Sequence, residues 1–316
     1  MHSVVSRNIL TFLVEFLIKS ENKDAVESYE TLNWTGSFWD YVNMVEKTPT
    51  IARNSYQRLY DMVMSHGTKE SVYCKRTYVR YKFFEGLGDI SIYGLEENLM
   101  EFMDILKSAS RHYGPERRVI LLHGPVGSSK STIVTALKKG LEAYTKTESG
   151  ALYSFSWKLT DKDGNEKLVP CPMNEEPLKL LPDDIKDSII SKINESLDDD
   201  AYRIKLDGAL NPVNEFYYDQ LMELHNGDYR KVLDHVVVRR VALSEKNRIG
   251  IGTFQPKDEK SQDATELTGD INYRKLAEYG SESDPRAFDF DGEFLVANRG
   301  LIEFQEIHIQ GKYIIK

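Results

Sequence analysis

Residues 119–132 read VILLHGPVGSSKST, and this stretch gives the clearest indication of the fold class. Its first four residues form a continuous apolar run, which predicts a strand buried on both faces. Gly124 follows, and after four intervening residues Ser129-Lys130-Ser131 approximates the Gly-Lys-Ser/Thr end of the nucleotide loop pattern. Apolar residues then recur at helical spacing from Ile133 to Leu141. The order of strand, glycine-containing loop and helix predicts an α/β fold of the P-loop NTPase class.

The residue types of the loop suit ATP and Mg²⁺. Glycines let backbone amides converge on phosphate oxygens, Lys130 would reach the β and γ phosphates, and the Ser131 hydroxyl would coordinate the metal. The helix that follows points its positive end at the same anion. Ser129 replaces the usual glycine, and its Cβ restricts the loop geometry. A glycine turn that only joins a strand to a helix is the alternative. The candidate nucleotide-binding residues are Gly124, Pro125, Val126, Gly127, Ser128, Ser129, Lys130, Ser131 and Thr132.

Composition narrows the class of protein. The 316 residues are 41% hydrophobic and 11% aromatic, too rich in large apolar side chains for a disordered chain. The longest apolar stretch, Ile9–Ile18, is interrupted by Glu15 and has about half the roughly 20 residues that a bilayer requires. We therefore expect no membrane span.

Charge and cysteine content indicate the compartment and the partners. Cys74 and Cys171 are the only cysteines, which excludes a disulfide scaffold and favours a reducing, cytoplasmic location. The net charge of −9 argues against general nucleic-acid binding.

Periodicity divides the chain into two parts. Residues 1–80 are predicted to be a helical N-terminal region, with helical spacing at Phe38–Val45 and at Ile51–Met64. Residues 81–316 are predicted to be the ATPase core, and a helix begins near Gly94 and ends near Ser110.

Several elements are predicted after the loop. Tyr153–Leu159 alternates apolar and polar residues, and Lys167–Val169 is the return strand of a hairpin. A helix follows Pro182, and Val236–Leu243 is a strand. Segment 244–286 has no periodicity and is interpreted as a long functional loop. Short strands are expected at Leu295–Ala297 and Gly300–Ile307.

Longer strings give the chain a resemblance to a known family. The loop with His123 resembles the nucleotide loop of the PrkA family, bacterial serine protein kinases built on an AAA+ ATPase module. Similar strings cover the chain from about Leu32 to Glu306; they are Tyr81-Lys82-Phe83-Phe84, residues 104–109, residues 250–260, residues 267–275 and Asp284-Pro285-Arg286-Ala287-Phe288.

The resemblance carries further implications. A serine at position 129 is what the family leads one to expect. Tyr93 and Gly94 resemble the AAA+ turn that packs beside the adenine, although a plain helix start is the alternative. The family also implies an unidentified protein substrate and a homo-oligomer for the full-length protein.

An ATPase of this class needs a second strand that ends in acidic residues. Gly300–Glu306 is the best candidate, with Glu306 as the residue that polarises the nucleophile. Gln305 occupies the usual aspartate position and brings no charge to the metal. Glu303 is an alternative acid, but it lies on the opposite face of the strand from Glu306. An ordinary edge strand is the other interpretation.

The spacing of the two motifs predicts an insertion. Residues 130 and 306 are 176 positions apart, far more than one strand–helix–strand unit of about 30 to 50 residues. We expect a large α+β insertion at roughly residues 150–290. Only ten residues follow Glu306, so the expected AAA+ lid is missing and the chain is interpreted as truncated after the second acidic motif.

Three functions remain open at this point. The resemblance implies ATP-dependent phosphotransfer to protein serine, with Lys130 and Glu306 as catalytic residues. The alternatives are an AAA+ remodelling or proteolytic regulator, and a catalytically incompetent nucleotide-binding fragment. Asp289–Gly292 only approaches a kinase Asp-Phe-Gly motif and is interpreted as a turn. Arg239-Arg240 is interpreted as a solvated strand edge, and a contact to a partner or a phosphate is the alternative. Four basic residues are candidate contacts to a subunit or substrate: Lys257, Lys260, Arg274 and Arg286.

Overall fold

The computed structural model describes residues 32–73, 75–86, 90–160, 164–198, 201–255 and 264–305. The predictions that fall outside these residues concern Ile9–Ile18, Cys74, Lys257, Lys260 and Glu306 with the tail that follows it.

The N-terminal residues form short capped elements. Strand β1 (Thr35–Ser37) leads into helix α1 (Phe38–Lys47), and a capping box between Ser37 and Asp40 fixes the start of that helix. Helix α2 (Ser55–Ser65) begins with a second capping box, from Asn54 and Gln57. Strands β2 (Thr68–Tyr73) and β3 (Arg76–Tyr81) then pair as an antiparallel hairpin. The predicted helical character of residues 1–80 is therefore wrong for this hairpin.

Two longer helices precede and follow residues 124–129, the phosphate loop. Helix α3 (Glu96–Ser110) agrees with the predicted helix, and helix α4 (Lys130–Lys146) begins directly after the loop. The predicted buried strand at Val119–Leu122 is wrong. These residues belong to no strand of the structure, and the side chains of Val119 and Leu121 are 83% and 62% exposed.

A four-stranded sheet joins β1 to three strands that come later in the chain. Strands β4 (Leu152–Thr160), β5 (Glu166–Pro170) and β6 (Val236–Val241) join β1 in the order β1-β6-β4-β5, and all neighbours are antiparallel. The predicted hairpin and the strand near Val236 are confirmed. Strand β6 lies inside the sheet and pairs with β1 on one side and β4 on the other.

Three helices contribute side chains to the same core as this sheet. They are α5 (Asp183–Glu195), which confirms the predicted helix after Pro182, α6 (Pro212–Leu224) and α7 (Tyr229–Leu233). They contribute buried side chains such as Ile193, Leu221 and Leu233. None of the helices in the described ranges combines the length and apolar composition required to cross a membrane.

A parallel pair of strands completes the framework around α4. Strand β7 (Ile251–Phe254) pairs with β10 (Leu301–Phe304), with Thr253 opposite Glu303. A Cβ on Gly300 would lie 1.7 Å from the carbonyl oxygen of Gly250, so this close approach requires glycine. The interpretation of residues 244–286 as one long loop is wrong for β7, because tertiary pairing organises four residues that carry no local periodicity.

Short elements connect β7 to β10. They are α8 (Thr265–Thr268), β8 (Asp270–Ile271), α9 (Tyr273–Tyr279), β9 (Phe288–Asp289) and α10 (Glu293–Val296), and β8 pairs with β9. The strand predicted at Leu295–Ala297 is wrong, because its first two residues end helix α10.

The buried side chains form two cores. The sheet core contains Phe38, Tyr41, Phe155, Trp157 and Val238 among others. The helix core contains Met62, Phe83, Met103, Leu106 and Leu141 among others. Helix α1 belongs to the sheet core, whereas α2 belongs to the helix core. The division predicted at residue 80 does not coincide with either core, and β1 pairs with β6 of the predicted insertion.

Candidate functional site

The phosphate loop takes its shape from two residues in the left-handed region. Gly127 has φ 83°, and Ser129 has φ 59° and ψ 16°. Glycine adopts this conformation without strain, whereas the Cβ of Ser129 makes it costly. Ser129 is also the N-cap of α4, but its hydroxyl makes no capping hydrogen bond. Ser129 is therefore held in this conformation by the loop and not by its own side chain.

Lys130 lies over the loop. Its Nζ donates to the carbonyl oxygens of Gly124 and Pro125, both at 2.7 Å, and contacts Ser128 Oγ at 3.1 Å. Ser128 Oγ donates in turn to Pro125 O at 2.8 Å. The ammonium group is thus placed at the mouth of the loop, where it can exchange carbonyl oxygens for phosphate oxygens.

The loop suits an anion. The first amides of a helix have no intrahelical acceptor, so those at the start of α4 are free to bind phosphate. A Cβ on Gly127 would meet no atom within 4 Å, and Val126 is fully exposed at the loop tip. Ser131, in the first turn of α4, is exposed. These features fit a nucleotide phosphate with Mg²⁺ at Ser131.

Contacts along α4 give the direction of β7 and β10. Thr145, near the end of α4, accepts at Oγ1 from the amide of Leu243 at 3.0 Å, and Leu243 packs against Gly250. Thr253, three residues further along, contacts Lys138, which lies earlier on α4. Strand β7 therefore runs opposite to α4, and β10 is parallel to β7. Both strands point their carboxyl ends toward the phosphate loop.

Lys138 joins α4 to both strands. Its Nζ donates to Glu303 of β10 at 2.5 Å, to Glu245 at 2.7 Å and to Thr253 of β7. The Lys138 side chain is 7% exposed and Glu303 is 12% exposed. Burial works to lower the pKa of Lys138, but hydrogen bonds with Glu245 and Glu303 outweigh it and raise the pKa. The hydrogen bond from Lys138 lowers the pKa of the Glu245 carboxyl.

Sequence reasoning missed Lys138. The available signal was a lysine beside Ala136 and Leu137, two residues of the apolar stripe of α4. The neighbouring Lys139, by contrast, is exposed. A charge at a buried helix position requires a partner, but only the folded chain reveals that the partners are Glu303 and Glu245.

Of the two acidic candidates, Glu303 and Glu306, only Glu303 lies among the described residues. Glu303, the alternative acid, forms an ion pair with Lys138. The amide of Gln305 donates to Phe254 O at 2.9 Å, so the parallel pairing extends to Gln305. Glu306 itself lies outside the described residues.

Tyr93 and Gly94 precede α3. Gly94 has φ 76°, and Tyr93 is 71% exposed. Among the described residues, no hydrogen bond or ring contact joins Tyr93 to the phosphate loop. The proposed role beside the adenine stays a prediction.

The far end of α4 is fixed by Arg240, one of two neighbouring arginines on β6. Arg240 is buried on β6 and donates to the carbonyl oxygens of Lys146 at 3.1 Å and Thr147 at 2.6 Å. Arg239 donates to Asn174 at 2.7 Å. The interpretation of Arg239-Arg240 as a solvated strand edge is wrong, because β6 is an inner strand. A cationic group near a helix C-terminus also stabilises the helix, because it interacts favourably with the negative end of the helix dipole.

Arg286 has an internal role. Its guanidinium lies between the rings of Phe216 and Tyr279, 4.3 and 4.2 Å from their centroids, and pairs with Asp284 at 2.6 Å. This arrangement fixes the segment before β9 against α6. Arg274, in contrast, is exposed at the start of α9.

Comparison with known proteins identifies relatives of this chain. The family described as the PrkA AAA domain matches residues 36–314. The chain is 39% identical over 282 residues to a protein of Bacillus subtilis (strain 168) named "ATP-dependent protease PrkA", an alignment that covers 89% of this chain and 39% of that protein. It is 26% identical over 236 residues to "Serine/threonine kinase YeaG" of Escherichia coli (strain K12), covering 75% of this chain and 31% of that protein.

The aligned part therefore represents less than half of each of these relatives. A short protein of Geobacillus stearothermophilus, "Uncharacterized protein in gldA 5'region", is 33% identical over 78 residues, which are 25% of this chain and 72% of that protein. No solved structure matches the chain.

Proposed function

The chain belongs to the PrkA AAA family, and from this premise we propose that it binds ATP·Mg²⁺ and transfers the γ-phosphoryl group to a protein serine. The observation that carries the nucleotide-binding part of the proposal is the loop at the N-terminus of α4, with Lys130 Nζ held at its mouth by Gly124 and Pro125. The transfer to serine is suggested by the name of the Escherichia coli relative. Loop amides and Lys130 would hold the phosphates, and the Ser131 hydroxyl would hold the metal. Bound Mg²⁺ would neutralise charge on the phosphates.

The geometry of β10 supports Glu306 as the catalytic base. Lys138 is eight residues from the start of α4, about 12 Å along the helix. Glu306 follows Glu303 by three positions in the sequence. Because β10 runs opposite to α4 and is tied to Lys138 at Glu303, its carboxyl end lies on the Lys130 side of that contact. Glu306 would accept the proton of the attacking hydroxyl, from a substrate serine or from water.

The metal ligands, the insertion and the partners are further parts of the proposal. Glu245 and Glu303 are bound to Lys138, and Gln305 carries no charge, so the metal would depend on Ser131 and the phosphates. Residues 150–290 would be an insertion between the two motifs that supplies most of the sheet core. A protein substrate and a homo-oligomeric assembly belong to the same proposal.

A second candidate function is an ATP-dependent protease or remodelling regulator. The name of the Bacillus subtilis relative, 39% identical, favours it. The kinase name belongs to a relative that is 26% identical. Both functions use the same nucleotide site.

Nucleotide binding is tested with two lysines of the same helix. The variant K130A should weaken binding of labelled ATP by at least about tenfold, because it removes the cation that faces the phosphates. The control K139A removes an exposed lysine of α4 and should bind as the wild type does. Unchanged ATP affinity in K130A, measured with excess Mg²⁺, would overturn the assignment of the loop.

The reaction is tested with casein and γ-labelled ATP. Label on casein serines supports the kinase, and casein fragments formed only with hydrolysable ATP support the protease. Phosphate release with intact, unlabelled casein supports a remodelling ATPase. Binding without any of these products identifies a nucleotide-binding module and contradicts both enzymatic proposals.

A further inference from the structure

We propose that Lys138 is a positioning residue that sets the axial register of β10 against the phosphate-loop helix. The inference rests on the proposed function, since it concerns the strand that leads to Glu306. Lys138 makes no contact with the phosphate loop among the described residues. It would act on the reaction only through the placement of β10.

The contacts of Lys138 suit such a role. One buried ammonium group binds a carboxylate on β10, a hydroxyl on β7 and Glu245 in the connection that precedes β7. Thr253 Oγ1 also donates to Glu245 at 3.0 Å, so the three acceptors form one connected group. A lysine has three donors, and these three acceptors use all of them.

Backbone pairing with β7 sets the register of β10 against that strand, whereas the position of β10 against α4 depends on side-chain contacts. Strand β10 contributes four residues, and all four are only partly buried. Short strands with weakly buried faces have weakly specified positions. A single charged contact between α4 and β10 penalises any sliding of the strand, because a shift of one residue would leave Lys138 and Glu303 buried without partners.

Contacts of Glu293 and Glu245 fix β7, the strand that pairs with β10. The carboxylate of Glu293, on α10, accepts from the Thr253 amide at 2.9 Å and from Arg248 at 2.8 Å. Glu245 accepts from Lys138, while its amide donates to Glu142 of α4 at 2.6 Å. Strand β7 is thus fixed to α4 and α10, and Lys138 extends this fixed arrangement to β10.

The test separates position from stability. K138M should keep ATP·Mg²⁺ affinity within about threefold of the wild type, since the loop is intact. Turnover at saturating ATP should fall about tenfold to 100-fold, the cost of misplacing a catalytic group by about 1 Å. K139M is the matched control and should resemble the wild type in both measurements.

The double variant K138M/E303M distinguishes positioning from plain structural support. Replacing both members of a buried ion pair with apolar residues often restores stability. Thermal unfolding should therefore recover relative to K138M while turnover stays low. If turnover recovers together with stability, Lys138 is only structural and the proposal is wrong.

Hydrogen exchange keeps the register testable apart from the reaction. K138M should increase exchange of the amides of residues 301–305 and leave those of β4 unchanged. If the wild type binds ATP without turnover or transfer, the proposed reaction fails while this exchange result still decides the register. Unchanged exchange at residues 301–305 would overturn the role of Lys138.

Discussion

Two stretches of the chain that were predicted to be strands, Leu152–Trp157 and Val119–Leu122, have opposite structures. The first is the buried part of β4, and it pairs with β6 along its whole length and with β5 at its last two residues. All of its six residues are buried, including Phe155 and Trp157 at 0% exposure. The second belongs to no strand of the structure. Its residues alternate, because Ile120 and Leu122 pack on the helix core while Val119 and Leu121 are exposed.

The difference lies in the neighbours and not in the hydrophobicity. Strand β4 has backbone partners on two edges, and side chains such as Tyr41 and Ile204 share the buried cluster around it. Val119–Leu122 has the helix core on one side, and among the described residues no strand pairs with it. An apolar run becomes a buried strand only where other chain segments satisfy its backbone and cover both faces.

Truncation of Trp157 is expected to have the largest effect. Its ring is fully buried, and its Nε1 donates to Asn214 Oδ1 at 2.9 Å. W157A should lower the free energy of unfolding by about 3–5 kcal/mol, since it leaves a cavity and an unpaired amide oxygen. Urea denaturation measures the change. A loss below about 1 kcal/mol would show that β4 is not the centre of a tightly packed core.

Alkaline pH is expected to weaken the sheet core through Tyr41. Burial, with the negative charge of Glu176, raises the pKa of Tyr41 well above its ordinary value of 10. The unfolded chain then loses the phenolic proton first, so the stabilisation present below pH 10 is lost as pH rises. Above pH 10, the wild type should lose about 1.4 kcal/mol per pH unit more than Y41F. Equal slopes in urea denaturation at a series of pH values would contradict this.

Relief of backbone strain in the phosphate loop is expected to be smaller and opposite in sign. S129G should raise the free energy of unfolding by about 1 kcal/mol, because glycine accepts φ 59° without strain. S129A keeps the Cβ and should show no such gain. If the two variants are equally stable, Ser129 is not strained in the native loop.

Substitutions within Val119–Leu122 are expected to follow the alternation, and L121A should have the smallest effect of the series. L121A should change the free energy of unfolding by less than about 0.5 kcal/mol, because the side chain is exposed. I120A removes a side chain packed on the helix core and should cost about 1–2 kcal/mol. Equal costs would indicate that both faces of the stretch are buried and would remove the contrast with β4.

The sequence predicted the elements whose signals are local. Alternation at Tyr153–Leu159 predicted the hairpin of β4 and β5. Helical spacing predicted the helix after the loop and the helix after Pro182. Strand β7 and the polar hairpin β2–β3 escaped prediction, since short or polar strands depend on pairing more than on periodicity. For the candidate site, the loop residues were predicted from their pattern and their binding role stays a prediction, whereas no pattern indicated Lys138.

The pattern of the phosphate loop is local, because its residues stand at fixed spacing within one short segment of the sequence. The surroundings of the loop follow from tertiary contacts: β1 beside β6, α1 and α2 in different cores, and Glu303 against Lys138. These contacts join residues far apart in the chain. Whether an apolar or charged side chain is buried depends on those distant partners, and no local pattern names them.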